Sequence, residues 1–113
     1  METKSAPSLV FGTRRRGEVL TLIALLGETY PTEIARLLKA PVYSVQRIVD
    51  ALDRVGVLST RVSGGSRRVS LDPRYFAASE LRALLLKVAQ ADEALQEVAQ
   101  ARRSRPRRAR KPR

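Results

Sequence analysis

Residues 31–56 read PTEIARLLKAPVYSVQRIVDALDRVG, and their pattern indicates two helices separated by a short break. Pro31 and Thr32 form a helix start signal, and Lys39-Ala40-Pro41 interrupts the helix that they begin. A further helix runs from about Val42 to Val55, and Gly56 stops it. Apolar residues recur at helical spacing in both segments: Ile34, Leu37 and Leu38, then Val45, Ile48, Val49 and Leu52. Two helices with a short break between them predict a helix-turn-helix.

The flanking sequence predicts a helix before this pair and a β-hairpin after it. Upstream, a helix starts near the N-cap Thr13 and ends at Gly27, with one apolar face: Val19, Leu22, Ile23 and Leu26. Downstream, residues 57–62 and 67–71 alternate as strands do, and Ser63-Gly64-Gly65-Ser66 joins them. Asp72-Pro73 ends the hairpin, which is the candidate wing.

Ser79-Glu80 opens a long helix that is expected to continue to about Ala101. Its heptad positions are apolar: Leu81, Leu84, Val88, Ala91, Leu95 and Val98. A cap on a small three-helix core needs only the first turns, because about 20 helical residues span about 30 Å. Pairing with a second copy is the simplest way to bury the rest. The predicted dimer interface is Leu81, Leu84, Leu85, Val88, Leu95 and Val98.

Composition excludes several classes of function. The 113 residues suit one domain, and 43% hydrophobic with only 4% aromatic residues indicates an aliphatic core. The absence of Cys and His excludes disulfides, thiol chemistry and Cys/His metal sites. Asp50 and Asp53 are the nearest approach to a carboxylate pair, and nothing suggests a pocket around them. The longest apolar run, residues 22–26, is too short to span a bilayer. We therefore expect no enzyme, no metal, no cofactor and no membrane partner, and a cytoplasmic, nucleoid-associated location.

The net charge of +11 indicates a polyanionic partner. Residues 1–101 carry 14 of the 22 Lys and Arg against all 11 acids, a balance of +3. The remaining eight cations form a tail that is expected to be disordered, to pack against nothing and to follow DNA phosphates. They are Arg102, Arg103, Arg105, Arg107, Arg108, Arg110, Lys111 and Arg113.

The outward face of the predicted third helix carries the candidate base contacts. Arg47 and Gln46 are the expected readers, since Arg pairs bidentately with guanine and Gln with adenine. Tyr43 and Ser44 could reach phosphates or base edges, and the role of Asp50 stays open. Wing and backbone contacts are expected from Arg61, Ser66, Arg67, Arg68, Arg14, Arg15 and Arg16. The alternative is a solvated face of an ordinary three-helix bundle.

Several stretches resemble bacterial winged-helix regulators, broadly the arsenical-resistance and multiple-drug-resistance repressors. They are LVFGTR (9–14), VL (19–20), PTEIARLL (31–38), SVQRIVDAL (44–52), RRVSLDP (67–73) and ELRALLLK (80–87). Over about residues 9–90 the chain looks most similar to winged-helix domains associated with minimal nucleotidyltransferases. The resemblance implies a homodimeric transcriptional regulator, with DNA contacts from Ser44, Gln46, Arg47 and Arg67. The chain differs from the metal-sensing members of that group, because it lacks their Cys or His ligands.

The predicted fold class is mostly α with a small β-hairpin (α+β): a winged helix-turn-helix domain followed by a long C-terminal dimerisation helix. The expected boundaries are a flexible leader at 1–12, the DNA-binding domain at 13–73, the dimerisation helix at 74–101 and the Arg-rich tail at 102–113. The expected function is homodimeric, sequence-specific binding of double-stranded DNA by a repressor or an autoregulator, with any small-molecule effector unknown. The rivals are a non-specific nucleoid protein and a protein-interaction module whose tail binds RNA or an acidic partner.

Overall fold

The computed structural model describes residues 11–104, in which five helices and one three-stranded antiparallel sheet form an α+β fold. The elements are α1 (Arg14–Leu26), β1 (Glu28–Thr29), α2 (Pro31–Leu38), α3 (Val42–Arg54), β2 (Leu58–Ser63), β3 (Ser66–Leu71), α4 (Ala78–Gln90) and α5 (Glu93–Ser104). The predictions for residues 1–10 of the leader and 105–113 of the tail lie outside the described residues. Phe11, inside the predicted leader, packs against the core.

The ends of α1 lie where the capping residues predict them. The Thr13 side-chain oxygen accepts a hydrogen bond of 3.1 Å from the amide of Arg16, which satisfies one of the free amides of the first turn. Gly27 follows the helix at a φ of 83°, and its amide donates to the Ile23 carbonyl at 2.8 Å. A residue with a side chain is strained at that φ, so glycine suits the end of this helix.

Helices α2 and α3 follow the predicted break. Lys39 ends α2 in the left-handed region at a φ of 56°, and Pro41 precedes the first turn of α3. Ile34, Val45 and Val49 are completely buried. Leu37, Leu38 and Ile48, which were also predicted to face inward, are only partly buried against the same core.

The predicted hairpin is confirmed. Strand β2 ends at Ser63 and β3 begins at Ser66, and each bound is one residue closer to the turn than expected. Strand β3 lies between β2 and β1, and Ser63 pairs with Ser66 across the turn. Gly64 and Gly65 both have positive φ, 58° and 81°, as the tightest hairpin turns require. Strand β1 was not predicted, because two residues are too few to show an alternating pattern.

The prediction of one long helix after the hairpin is wrong, because the chain breaks between α4 and α5. The Asp92 carboxylate accepts a hydrogen bond of 3.1 Å from the amide of Leu95 and so caps the start of α5. The Gln96 side-chain amide donates to the Ala89 carbonyl, near the end of α4. The break lets α5 turn back, and both α4 and α5 pack against α1.

The apolar heptad positions are consequently used inside the chain. Leu85, Val88 and Leu95 are buried in the fold, and Leu81 is partly buried against the core. Val98 is half-buried. Of the six residues of the predicted dimer interface, only Leu84 is exposed, with 44% of its surface accessible. The predicted interface is therefore not available as a continuous apolar stripe, since four of its six residues already pack against their own chain.

Arg102, predicted to open a disordered tail, instead belongs to α5 and binds a buried carboxylate. Its Nε lies 3.1 Å from Oε2 of Glu33, whose side chain is only 6% exposed. A terminal guanidinium nitrogen also donates to the Glu28 carbonyl at 3.2 Å. Thr29 donates its hydroxyl to the same carboxylate. This contact fastens α5 to α2 and β1, so part of the predicted tail is structural.

We expect Arg102→Ala to lower the free energy of unfolding by about 1–2 kcal/mol, because it leaves the buried Glu33 with only the more distant Arg36, at 3.9 Å, as its cation. The lower part of the range for a buried pair applies, since the Arg102 side chain is 31% exposed. Urea unfolding of the variant and the full chain measures the difference. A chain that ends after Ser104 keeps this contact and is the control. Equal stability of the Ala variant and the full chain would contradict the structural role.

Candidate nucleic-acid interface

The outward face of α3 presents the polar residues that the sequence pattern predicted there. Because Val45 and Val49 anchor the inner face, Gln46 and Arg47 lie exposed on the other side. Tyr43 is 66% exposed, and the Arg47 guanidinium lies over its ring, 5.6 Å from the ring centre. This distance is within the range of a cation–π contact. The contact leaves the guanidinium edge free to bind hydrogen-bond acceptors.

A groove of about 520 Å³ runs between the start of α1 and the exposed face of α3. It is lined by Thr13, Arg15, Arg16, Tyr43, Ser44, Arg47, Ile48 and Ala51. The fold thus places two cations of the α1 triplet beside the predicted reader Arg47, although they are some 30 residues apart in sequence. Arg15 also lies 3.5 Å from Glu18. Arg14 is exposed at the start of α1 and does not line the groove.

The structure gives Asp50 a partner. Its carboxylate accepts a hydrogen bond of 2.7 Å from Arg67 of β3, and the two side chains are 53% and 32% exposed. One helical turn later, Asp53 accepts a bond of 3.1 Å from the Thr60 hydroxyl of β2. The hairpin is therefore held to α3 at two points. Arg67, predicted as a DNA contact, is an ion-pair partner in this structure.

The outer face of the sheet carries the other two hairpin arginines. Arg61 and Arg68 are directly opposite each other on β2 and β3. Arg61 pairs with Glu28 of β1 at 2.8 Å, with 62% of its side chain exposed. The Arg68 guanidinium lies 5.5 Å from the centre of the Tyr30 ring. Ser66 is half-buried at the hairpin turn. This face therefore carries one arginine that pairs with a carboxylate, Arg61, and one that does not, Arg68.

Carboxylate pairing divides the predicted cations into two groups. Within residues 11–104, Arg15, Arg61, Arg67 and Arg102 each have a carboxylate partner. Arg16, Arg47 and Arg68 have none there, so they are the cations that can bind an anion without first breaking an ion pair. Charge counting along the sequence could not make this distinction, because the partners of Arg61, Arg67 and Arg102 are distant in sequence. The side chain of Arg103 and residues 105–113 lie outside the described part of the chain.

The described residues contain no group of three or more His, Cys, Asp or Glu that could hold a metal ion. Asp50 and Asp53, considered above as a carboxylate pair, each bind a hairpin side chain. Nor does any helix in the described part of the chain combine the length and apolar character needed to cross a membrane. What the surface offers is a cationic, hydrogen-bonding groove beside a helix, which suits a phosphate backbone.

No protein-family model, no curated protein and no solved structure matches this chain.

Proposed function

We propose that this chain is a sequence-specific, double-stranded DNA-binding transcriptional regulator of the winged helix-turn-helix kind, a repressor or an autoregulator that acts as a homodimer. In this proposal α3 is the recognition helix in the major groove, and the β2–β3 hairpin is the wing on the minor groove or the backbone. One observation carries it: the groove that joins Arg15 and Arg16 to Arg47 on the exposed face of α3. The groove supports the proposal because cations suited to phosphate binding lie beside a side chain suited to base reading.

Base reading is assigned to Arg47 and Gln46. Both lie exposed on α3, and their side chains make the bidentate pairings that distinguish guanine and adenine in the major groove. The Tyr43 ring under Arg47 restricts the guanidinium before DNA arrives, which lowers the entropy lost on binding. Ser44, which lines the groove, is placed to donate to a phosphate.

Backbone binding is assigned to the unpaired cations on either side of α3. Arg16 lies in the groove at the start of α1, and Arg68 lies on the hairpin. Arg67 holds the hairpin to α3 through Asp50 and so sets the position of the wing without contacting DNA itself. This assignment replaces the expectation, from the hairpin sequence and from the resemblance, that Arg67 binds DNA directly.

The resemblance of residues 9–90 to bacterial winged-helix regulators supports the same reading, as does the order of helices and strands. A homodimer would read a pseudo-palindromic site, with half-sites about one helical turn apart. The net charge of +11 favours approach to duplex DNA.

The second candidate is a nucleoid or architectural protein that binds DNA without sequence preference. The concentration of basic residues between 103 and 113 favours it, because phosphate contacts from such residues carry no sequence information. A specificity ratio separates the two, since regulators commonly prefer their site by about 10³ or more. A protein-interaction module, the third candidate, would show no DNA retention at moderate salt.

Selection of bound fragments from random duplex DNA tests the proposal directly. The full chain should enrich a single motif, and its affinity for that motif should exceed its affinity for scrambled duplex by about 10³. Enrichment of no motif, with binding retained, favours the architectural candidate. If no fragment is enriched and no duplex is retained, the proposal of DNA binding is overturned.

With the selected site in hand, we expect Arg47→Ala to lower specific affinity by about 1–3 kcal/mol per half-site and to leave affinity for scrambled duplex nearly unchanged. Arg54→Ala is the matched control. It removes the same charge from the last turn of the same helix, outside the groove residues. Titrations of labelled duplex measure both affinities. Parallel loss of specific and non-specific binding would make Arg47 a phosphate contact and move the reader to Tyr43, Ser44 or Gln46.

Asp50→Asn should strengthen binding to any duplex, because it removes a negative charge from the interface and frees Arg67 for a phosphate. One added contact steepens the log-log salt dependence by about 0.9 per chain. Asp53→Asn is the control, since it removes an equal charge but releases a threonine. Stability should change by about 1 kcal/mol or less, as for other exposed pairs. If both variants shift the salt slope equally, Arg67 is not the cause.

Ending the chain after Ser104 should weaken binding to all duplexes while leaving the preference between sequences intact. It removes six cations, Arg105, Arg107, Arg108, Arg110, Lys111 and Arg113. If about half of them meet phosphates, the salt slope falls by about 2.7 per chain, which is a roughly 40-fold effect between about 50 and 200 mM salt. Salt titrations of both chains measure it. An unchanged slope would assign the tail to an acidic protein or RNA.

A further inference from the structure

The two faces of the β2–β3 hairpin carry different side chains. Thr60 and Arg67 face α3, because each binds a carboxylate of that helix. Consecutive strand residues point to opposite faces, so Arg61 and Arg68 lie on the face that is turned away from α3. Glu28 and Tyr30 contact these two arginines from the side of β1. We call this surface the outer sheet face, and its side chains are Glu28, Tyr30, Arg61 and Arg68.

Two like charges are directly opposite each other on the outer sheet face. Arg61 of β2 and Arg68 of β3 are partners in the strand register. Like charges in this position destabilise a sheet. Glu28 offsets one of them, at 2.8 Å from Arg61, whereas Arg68 has no carboxylate partner within residues 11–104. An anion bound at Arg68 would relieve the remaining repulsion, so the arrangement is suited to bind one.

Tyr30 holds the unpaired guanidinium in place. Both Tyr30 and Arg68 are half-buried, and the guanidinium lies 5.5 Å from the centre of the ring, within the range of a cation–π contact. A guanidinium held in this way keeps N–H groups at its edge that can donate to two phosphate oxygens. Because its position is already restricted, less entropy is lost when the phosphate binds.

Helix α1 separates the outer sheet face from the groove that holds Arg16 and Arg47. The groove lies at the start of α1, whereas β1 follows directly after Gly27 at the end of that helix. The 13 residues of α1 span about 20 Å. This length corresponds to about six base pairs of duplex, at about 3.4 Å each. A phosphate in the groove and a phosphate on the outer sheet face therefore belong to different parts of a bound duplex.

The basic C-terminal segment of the chain begins beside the outer sheet face. Arg102 donates to the Glu28 carbonyl at 3.2 Å, and α5 ends at Ser104. Residues 105–113 contain six cations and no acidic residue. These cations therefore join the described part of the chain nearer to the outer sheet face than to the groove at the other end of α1.

We propose that the outer sheet face binds the phosphate backbone of the duplex that flanks the sequence read by α3. Arg68 makes the fixed contact, and the basic residues after Ser104 add charge beside it. The flank then continues along the side of the hairpin that is turned away from α3. The inference rests on the proposed function and deepens it, because it extends the bound DNA to a segment that is held without being read.

Binding of the full chain to two labelled duplexes tests the proposal. One carries the selected motif alone, and the other adds about 10 bp of scrambled flank, one helical turn, on each side. The wild type should bind the flanked duplex with the steeper log-log salt dependence. Arg68→Ala should lower the slope on the flanked duplex by about 0.9 per chain and leave the slope on the short duplex unchanged. Arg82→Ala, the matched control, removes the same charge from an exposed position on α4, outside the sheet, and should change neither slope.

Glu28→Gln gives a test in the opposite direction, which a loss of folded protein cannot imitate. It removes the carboxylate that Arg61 binds and so frees a second cation beside Arg68. The slope on the flanked duplex should steepen by about 0.9 per chain, with no change on the short duplex. Arg68→Lys keeps the charge and should keep both wild-type slopes.

Several results would overturn the proposal. A wild-type slope that is the same on both duplexes excludes a flank contact, and an equal loss on both duplexes in Arg68→Ala places Arg68 within the site that α3 reads. If protein on an immobilised duplex captures a second labelled duplex, and Arg68→Ala abolishes the capture, the face binds a separate DNA molecule instead of the flank.

Failure of this inference can be told apart from failure of the proposed function. Selection of a motif without any dependence on the flank overturns the inference alone. If no motif is selected, and Arg68→Ala still lowers the slope on scrambled duplex by about 0.9, the proposed function is overturned and the phosphate contact is kept. Absence of binding to every duplex overturns both.

Discussion

The burial of α1 on all sides governs how the other helices and the sheet are arranged around it. From Val19 to Ala24 every side chain is buried, and the segment contains no charged residue that could face water. A helix that is apolar all round has to be covered on every face. Its covers are α4 and α5, the α2–α3 pair and strand β3. The positions of these covering elements therefore follow from the need to enclose one short helix.

The same constraint explains why the apolar positions after residue 80 do not form a coiled coil. A heptad pattern indicates one apolar stripe, but it does not say whether another chain or the same chain covers that stripe. Here α1 of the same chain is the apolar partner that α4 and α5 cover. Asp92 supplies the cap that lets the chain turn between α4 and α5. Leu95 and Ala99 of α5 are then buried in the core, and the Arg102 side chain binds the Glu33 carboxylate of α2.

The sequence predicted the features that depend on neighbouring residues, and it did not predict the pairing of residues that are distant in the chain. The bounds of several elements are set by residues that act on the adjacent backbone: Thr13, Gly27, Pro31 and the Gly64-Gly65 turn. The face of α3 that carries Gln46 and Arg47 followed from helical spacing in the same way. Strand β1, by contrast, exists only because β3 lies beside it. The partners of Arg67 and Arg102 are 17 and 69 residues away, beyond any local pattern.

These ion pairs separate two uses of arginine on one basic surface. A guanidinium that already binds a carboxylate has to give up that contact before it can bind a phosphate, so its net gain from an anion is small. Arg61 and Arg67 are in this position, and each joins two elements of the fold. Arg16 and Arg47 need no exchange, and they meet in one groove. Asp50 thereby holds the hairpin beside α3, and Glu28 joins the hairpin to β1. Of the cations without a carboxylate partner among the described residues, Arg16 and Arg47 therefore lie in the groove beside the exposed polar face of α3, and Arg68 lies on the hairpin.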